Sequence, residues 1–445
     1  MKLTKQQDKK IGIFGLSRTG ISVFESLNGI AGQIICYDDN QQSLDNFAKK
    51  FGREYIVDLS DEIWIDLDKI IVSPGVPNLH QIFKLARKHN VVISSDIELF
   101  YQQNPDSEFI AITGTNGKST TTALAGHILE AAGLDYVFGG NIGVPILSLP
   151  HGKKGYILEL SSFQIELLTN FEPKIAVLLN ITPDHLDRYQ DFAEYSAVKQ
   201  KILQNDSIKI INIDNEETAI IHQQQIKEGV RNIIAFSSKK QEQDVVFCQD
   251  DKLVDLYFDN REYRLPALTN LVGNHNRENI AASFIICRIL GMQGEEIIKY
   301  LPSFKGLNHR LQFLGTKDNI DFYNDSKATN IASARIALVS LENIFWLVGG
   351  IVKEDDLTPI IDGLKNVKKA YIFGQSKKQL VEFLQDKIAY EICDDLNESF
   401  HKAVSDAKHV DGKKNLVLAP AASSFDQFKD YEARGECFKK LVDGL

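Results

Sequence analysis

The chain holds 445 residues, 43% of them hydrophobic and 25% charged, with a formal net charge of −10. These proportions fit a soluble globular protein, and the length accommodates two to four domains that each bury a core. The acidic balance argues against a general nucleic-acid surface, so no nucleic-acid partner is expected, although local lysines, helix ends and Mg²⁺ can still hold an anionic ligand.

Five cysteines, Cys36, Cys248, Cys287, Cys393 and Cys437, stand far apart without a Cys-x-x-Cys pair. An odd, scattered set reads as reduced thiols in a cytosolic protein with no zinc site. Met1 to Lys10 is polar and lacks the apolar core of a signal peptide. No apolar run approaches the ~20 residues of a membrane span. A cytoplasmic setting without a membrane partner is the expectation.

Three α/β blocks follow one another. The first opens with a strand, Ile11 to Phe14, then Gly15-Leu16-Ser17-Arg18-Thr19-Gly20 and a helical pattern through Ile21, Val23, Phe24 and Leu27. A second strand, Gln33 to Tyr37, ends at Asp38. This is close to a dinucleotide-binding pattern, but Ser17 stands where the middle glycine would let a pyrophosphate approach the backbone. A strand at Lys69 to Val72 runs into Ser73-Pro74-Gly75-Val76-Pro77, a turn at a strand's carboxyl end, where open α/β sheets bind ligands. Tyr101 to Pro105 reads as a linker.

The second block begins with a strand, Phe109 to Thr113, followed by Gly114-Thr115-Asn116-Gly117-Lys118-Ser119 and a helix that stops at Gly133. Strand, glycine loop, lysine and hydroxyl, then helix is the build of a phosphate cradle. The glycines admit an oxyanion to the backbone N–H groups, Lys118 reaches the terminal phosphates, and Ser119 can hold Mg²⁺. The spacing is shorter than the usual P-loop, with Gly114 three before Gly117 and Ile112 where the first glycine would stand.

Further strands are predicted at Gly155 to Glu159, Ile175 to Asn180, Ser207 to Ile213 and Asn232 to Phe236, with an antiparallel excursion over Gln241 to Arg264. Glu159 ends a buried-looking strand, where a Mg²⁺-holding acid is expected beside a nucleotide site; the alternative is a helix-capping serine with an incidental acid. His185, in Asn180-Ile181-Thr182-Pro183-Asp184-His185-Leu186-Asp187-Arg188, is either a metal ligand or structural. Lys199 lies beside the helical face Phe192, Tyr195, Val198 and Ile202, and by pattern alone it is a surface lysine. Asn276 either caps the predicted helix Arg277 to Leu290 or joins Asn279, three residues on, at an adenine edge.

The third block starts near Gly306, with strands at Asn319 to Tyr323, Asn343 to Val348, Lys369 to Phe373 and Asn415 to Leu418, again a parallel-sheet reading. Arg310, in Gly306-Leu307-Asn308-His309-Arg310, suits a phosphate fork. Lys327, in Tyr323-Asn324-Asp325-Ser326-Lys327-Ala328-Thr329-Asn330, suits a point charge. Gly349-Gly350 with Lys353 and Ala419-Pro420-Ala421-Ala422-Ser423-Ser424 end two more strands. Converging strand-end loops of this chemistry make a ligand site.

In this order, the glycine-lysine loop, the Glu159 strand end, the Asp184 to Arg188 run, Asn276 with Asn279, and His309-Arg310 resemble the Mur ligases, the peptidoglycan stem-peptide ligases of the bacterial cytoplasm. Tyr323 to Asn330 and Pro420 to Phe428 resemble the branch that adds D-glutamate. The resemblance covers the whole chain. It implies an α/β fold in three domains: a Rossmann-like N-terminal domain (1–103) for the UDP substrate, a P-loop-type ATPase domain (104–305), and a Rossmann-like C-terminal domain (306–445) for the amino acid.

The activity it implies is ATP-dependent ligation of D-glutamate to UDP-N-acetylmuramoyl-L-alanine through an acyl phosphate, by a monomer using Mg²⁺. ATP would be held by Gly114, Thr115, Asn116, Gly117, Lys118, Ser119, Thr120, Asn276, Asn279, Arg310 and Asp325. One Mg²⁺ would lie on Ser119 and Glu159, and a second on His185 and a carbamylated Lys199. Lys118, His185 and Lys199 would serve the chemistry. Thr19, Asp38, Ser73, Gly75, Asn141 and Ser162 would contact the muramoyl nucleotide. Thr329, Lys353 and Ser424, with His185, would orient D-glutamate, and Lys327 and Tyr431 would also bind substrate; at 431 the family usually has Phe. Two other activities stay open: a related ligase for another amino acid or for folate polyglutamate, and a nicotinamide-binding oxidoreductase suggested by the first block.

Overall fold

A computed structural model describes residues 1–204 and 206–445. The chain forms two compact units, Met1–Arg264 with Glu278–Tyr300, and Leu265–Arg277 with Leu301–Leu445.

The first unit holds two sheets. Strands β1 (Lys10–Phe14), β2 (Gln33–Tyr37), β3 (Lys69–Val72) and β4 (Val92–Ser94) form an all-parallel sheet in the order β2-β1-β3-β4. The chain leaves β1 toward β2 and returns on the other side at β3, so the crevice between the carboxyl ends of β1 and β3 is a topological switch point. Phe14 and Val72 sit in register there, and the Gly15 and Ser73 turns leave side by side.

The second sheet contains β5 (Glu108–Thr113), β6 (Tyr136–Gly140), β7 (Gly155–Glu159), β8 (Ile175–Leu178), β9 (Ile208–Asn212), β10 (Ile233–Ser237), β11 (Val245–Gln249), β12 (Lys252–Asp255) and β13 (Arg261–Arg264). Their order is β13-β12-β11-β10-β9-β8-β5-β7-β6. β7 and β8 are buried at every residue, and β5 at all but Glu108, as expected for parallel strands covered by helices on both faces. β5 lies between β8 and β7, with Ile112 opposite Glu159 and Thr113 opposite Leu178, so the loops after all three strands emerge together.

In the second unit β14 (Gln312–Lys317), β15 (Ile320–Asn324), β16 (Ile344–Gly349), β17 (Val367–Phe373), β18 (Ala389–Ile392) and β19 (Lys414–Leu418) run in the order β14-β15-β19-β16-β17-β18. All neighbours are parallel except the edge strand β14. Asn324 and Leu347 both face Leu418, which brings the loops after β15, β16 and β19 to one edge.

Three sequence expectations change. The supposed linker at Tyr101 to Pro105 is mostly helix: Asp96–Gln103 is helical, and Tyr101 packs on Phe109 and Phe171. Its aromatic ring outweighs the nearby proline signal. The excursion over Gln241 to Arg264 starts with a parallel strand, β11 on β10, and only β12 and β13 run antiparallel. Asn276 does not cap its helix, which begins at Asn274; its Nδ2 donates to the Val272 carbonyl instead.

Candidate active site

The phosphate loop joins β5 to the helix Lys118–Ala131. Gly117 has φ +82°, and a Cβ there would lie 2.5 Å from Asn279 Oδ1, so both backbone and space require glycine. Asn279 is held under the loop, where its Oδ1 accepts from Thr121 Oγ1 at 3.0 Å. Asn116 N–H donates to Asn180 Oδ1, and Asn180 Nδ2 returns a bond to the Asn116 carbonyl. Thr115 N–H donates to the Asn180 carbonyl, and Thr115 Oγ1 pairs with Thr182 and the Tyr195 hydroxyl. The cradle is thus braced by the loop after β8 before any phosphate arrives. Ser119 and Thr120 occupy the first helical turn, where main-chain N–H groups have no intrahelical partner.

Lys118 Nζ donates to the Gly114 and Thr115 carbonyls, both at 2.8 Å. Lys199 is no surface lysine: it is 1% exposed and its Nζ donates to the same Gly114 carbonyl at 2.9 Å. The helical face placed it beside the core, but the carbonyl that draws it inward lies 85 positions away in sequence. Burial, then the charge of Lys118, lower its pKa to about 6, so at neutral pH the amine is largely uncharged and nucleophilic.

Glu159, at the end of β7, is 2% exposed. Its Oε1 accepts from Asn141 Nδ2 at 2.9 Å, whereas its buried Oε2 has no hydrogen-bond partner among the described residues. A buried carboxylate oxygen left without a donor suits a cation ligand. Ser161 caps the helix Ser162–Glu166 with a full capping box, so the capping serine and the poised acid are both present. Among the described residues no three His, Cys, Asp or Glu side chains converge as a metal cage.

His185 is exposed, has φ +53°, and pairs with Asp184 at 3.6 Å. Phe163 stacks against it at 4.9 Å between centroids and carries the Arg188 guanidinium at 4.1 Å. Arg188 is anchored by Glu166 and by the Val76 carbonyl, fixing this loop to the turn after β3.

His185 also lines a cavity of about 360 Å³ together with Thr19, Ser73, Gly75 and Asn141. Five candidates from four distant stretches of the sequence thus line one cavity. Ser73 Oγ donates to the Gly15 carbonyl, locking the two turns. Asp38 does not line this cavity; its carboxylate receives the Leu16 and Asn40 N–H groups and closes the turn after β1. Ser162 is buried just behind, with Ser161 at the surface of the cavity.

Among the lining residues that the sequence reading did not single out as candidates are Arg18, Asp96, Phe163 and Gln164. Arg18 reaches across the mouth to the Gly143 carbonyl. Burial raises the Asp96 carboxyl to about 6. Phe163 and Gln164 lie beside Ser162 and offered a local signal; Asp96 offered none. A larger cavity of about 630 Å³ lies at the opposite, amino ends of β9 and β10 among residues such as Gln200, Lys209 and Arg231, and shares no residue with this chemistry.

In the second unit, Asp325 and Lys327 follow β15. Asp325 Oδ1 accepts from the Leu311 N–H at 2.9 Å, and burial raises its pKa to about 7 against the opposing charge of Arg310. Arg310 is exposed one residue after His309, whose ring contacts Asn324 Nδ2 at 3.2 Å. Lys327 Nζ donates to the Tyr431 hydroxyl at 3.1 Å and lies 4.3 Å from its ring centre. Thr329 is half-buried, Lys353 exposed, and Ser424 2% exposed. Ala421, in the loop before Ser424, holds a left-handed φ of +57°, a strain that loops at functional sites carry.

Residues 112–287 match the Mur ligase middle domain, and residues 309–420 match the Mur ligase, glutamate ligase domain. The chain belongs to the Mur ligase family. The UDP-N-acetylmuramoylalanine--D-glutamate ligase of Rickettsia prowazekii (strain Madrid E) is 48% identical over 440 residues, covering 97% of both chains. The enzyme of that name from Wolbachia pipientis wMel is 33% identical, with 100% of this chain and 98% of that one covered. Among solved structures, the UDP-N-acetylmuramate-alanine ligase MurC from Thermotoga maritima superposes with a TM-score of 0.60 at 21% identity, over 98% of this chain and 99% of the other. MurF ligase from Thermotoga maritima in complex with ADP gives a TM-score of 0.58 at 18% identity, over 99% and 97%. The fold is that of the Mur ligases, and the protein is an ATP-dependent ligase.

Proposed function

We propose that this protein joins D-glutamate to UDP-N-acetylmuramoyl-L-alanine, with cleavage of ATP to ADP and phosphate, in the synthesis of peptidoglycan precursors. The observation that carries the reading is one sheet edge where a braced phosphate loop, the half-paired Glu159 and a cavity lined by Asn141 and His185 adjoin, in a chain 48% identical to a D-glutamate ligase. Family membership sets the nicotinamide oxidoreductase aside. The D-glutamate relatives favour this reading over a folate or other amino-acid ligase.

The amides of Gly114 to Thr120 and the Lys118 ammonium would hold the terminal phosphates, and Asn276, Asn279, Arg310 and Asp325 the rest of ATP. Thr19, Ser73, Gly75, Asn141 and Ser162 would hold the nucleotide sugar, with Asp38 shaping its uridine end. The substrate carboxylate would attack the γ-phosphorus, and Lys118 would offset charge gathering on the transferred group. The amine of D-glutamate would then attack the acyl carbon and expel phosphate. Lys327, Thr329, Lys353, Ser424 and Tyr431, with His185, would present cations and hydroxyls to its two carboxylates.

Ser119 and Glu159 fit one Mg²⁺. The uncharged Lys199 amine can add CO₂, and the resulting carbamate would give His185 an anionic partner for a second. Bound Mg²⁺ neutralises phosphate charge. The proposed domains are 1–103, 104–305 and 306–445; the proposed setting is cytoplasmic, read from composition and scattered thiols, and the proposed state is the monomer that the family resemblance implies. No helix among the described residues is long and apolar enough to cross a membrane. Phosphate release measured with each amino acid in turn tests the proposal.

A further inference from the structure

Arg434 belongs to none of the motifs above. It lies in the first turn of the helix Tyr431–Asp443 and is 0% exposed. Its donors all meet neutral oxygens: Nε reaches Ser326 Oγ at 3.0 Å, Nη2 the Ser326 carbonyl at 2.8 Å, and Nη1 the Ala422 carbonyl at 3.0 Å and the Gly349 carbonyl at 3.5 Å. A buried cation hydrogen-bonded only to carbonyls and a hydroxyl is a costly way to fill a core, because no carboxylate bonds to it and Asp426 offsets its desolvation only from a distance.

What the guanidinium reaches explains its place. Ser326 and Ala422 lie in the loops after β15 and β19, and Gly349 is the last residue of β16; the carboxyl ends of these three adjacent strands share one edge. Lys327 and Thr329 stand on the first loop, Lys353 follows the second, and Ser424 lies on the third. A planar guanidinium with donors on both sides holds all three strand ends in one fixed geometry, which an ammonium on a flexible stem does not fix. The fit is close, since a Cβ on Gly350 would approach Nη1 to 3.3 Å. Ser326 Oγ extends the clamp by donating to the Tyr431 carbonyl. Burial lowers the Arg434 pKa to about 10, so the group stays charged at neutral pH.

We propose that Arg434 is a positioning residue that clamps the carboxyl ends of three adjacent strands into one cradle for an amino acid bearing two carboxylates. This assignment rests on the D-glutamate reading above. It separates the second half-reaction from the first, because the cradle holds the amino acid and the nucleotide sugar is held elsewhere.

Phosphate release by full-length Arg434→Lys and Ser326→Ala enzymes, with each substrate varied in turn, tests it. The KM for D-glutamate should rise about tenfold in Arg434→Lys and about threefold in Ser326→Ala, the scale of losing charge-assisted and single hydrogen bonds. The KM for the UDP nucleotide should stay at its wild-type value, and ADP formed from nucleotide and ATP without D-glutamate should persist. Equal rises in every KM would mark a merely structural group and overturn the proposal. So would a wild-type KM for D-glutamate in both variants, or in Ser326→Ala alone should Arg434→Lys not fold. Absence of D-glutamate-dependent release by the wild-type protein would instead overturn the underlying function.

Discussion

Lys118 and Lys199 donate to one and the same oxygen, the Gly114 carbonyl, at 2.8 and 2.9 Å. Burial, and then the charge of Lys118 beside it, lower the Lys199 pKa to about 6, so the Lys199 amine is largely uncharged at neutral pH. Removing Lys118 takes away that charge and the bonds that fold it over the loop. Lys118→Ala should lower turnover by roughly two to four orders of magnitude with the melting temperature little changed. Near-normal turnover would remove Lys118 from the chemistry.

The uncharged Lys199 amine is the reactive form toward CO₂. Lys199→Ala should lose activity, and bicarbonate or a short carboxylic acid should partly restore it by supplying the missing anion. The check is turnover against added acid at constant pH and ionic strength. No rescue by any small carboxylate would argue against a carbamate.

Glu159 Oε2 is buried without a donor, so its charge burdens the ligand-free fold. Glu159→Gln should stabilise the ligand-free protein by about 1–3 kcal/mol while lowering turnover about a hundredfold or more. Melting curves without and with Mg²⁺-ATP measure both sides: the variant should melt higher alone and gain less from the nucleotide. A lower melting point alone would mean that Glu159 is structural.

How much of this was legible depended on distance along the chain. The phosphate loop announces itself within seven residues because glycine, lysine and hydroxyl must be contiguous to cradle a phosphate. Glu159 was legible because a strand of buried residues ends on an acid. Lys199 was not, since a lysine beside an apolar helix face looks like a surface residue until the Gly114 carbonyl, far away in sequence, is placed beneath it. Four strands carried weak signals. Val92–Ser94 and Ala389–Ile392 are short, partly exposed edges, Tyr136–Gly140 ends in two glycines that read as a turn, and the antiparallel β14 is half-buried throughout most of its length. Asp96 and Arg18 line the cavity through tertiary placement alone.

Asp325 gives a pH signature. Burial holds its carboxyl at about 7 in the folded chain against 3.8 when free. Between those values the folded state binds a proton that the unfolded state has lost, so stability from this group falls as pH rises from about 4 to about 7 and is level above. An amide in place of this carboxyl keeps an acceptor for the Leu311 N–H without the charge. Asp325→Asn should therefore gain on the wild type as pH rises, by a few kcal/mol at most near pH ~7.5, in denaturant titrations at paired pH values. A constant difference across that range would contradict the buried-carboxyl account.

The central claim is the amino acid joined at this site, and the most direct measurement is phosphate release from ATP and UDP-N-acetylmuramoyl-L-alanine as each amino acid is added alone. D-glutamate should drive release, with L-glutamate and other amino acids near background. Equal release with L-glutamate, or release driven by a different amino acid, would contradict the account.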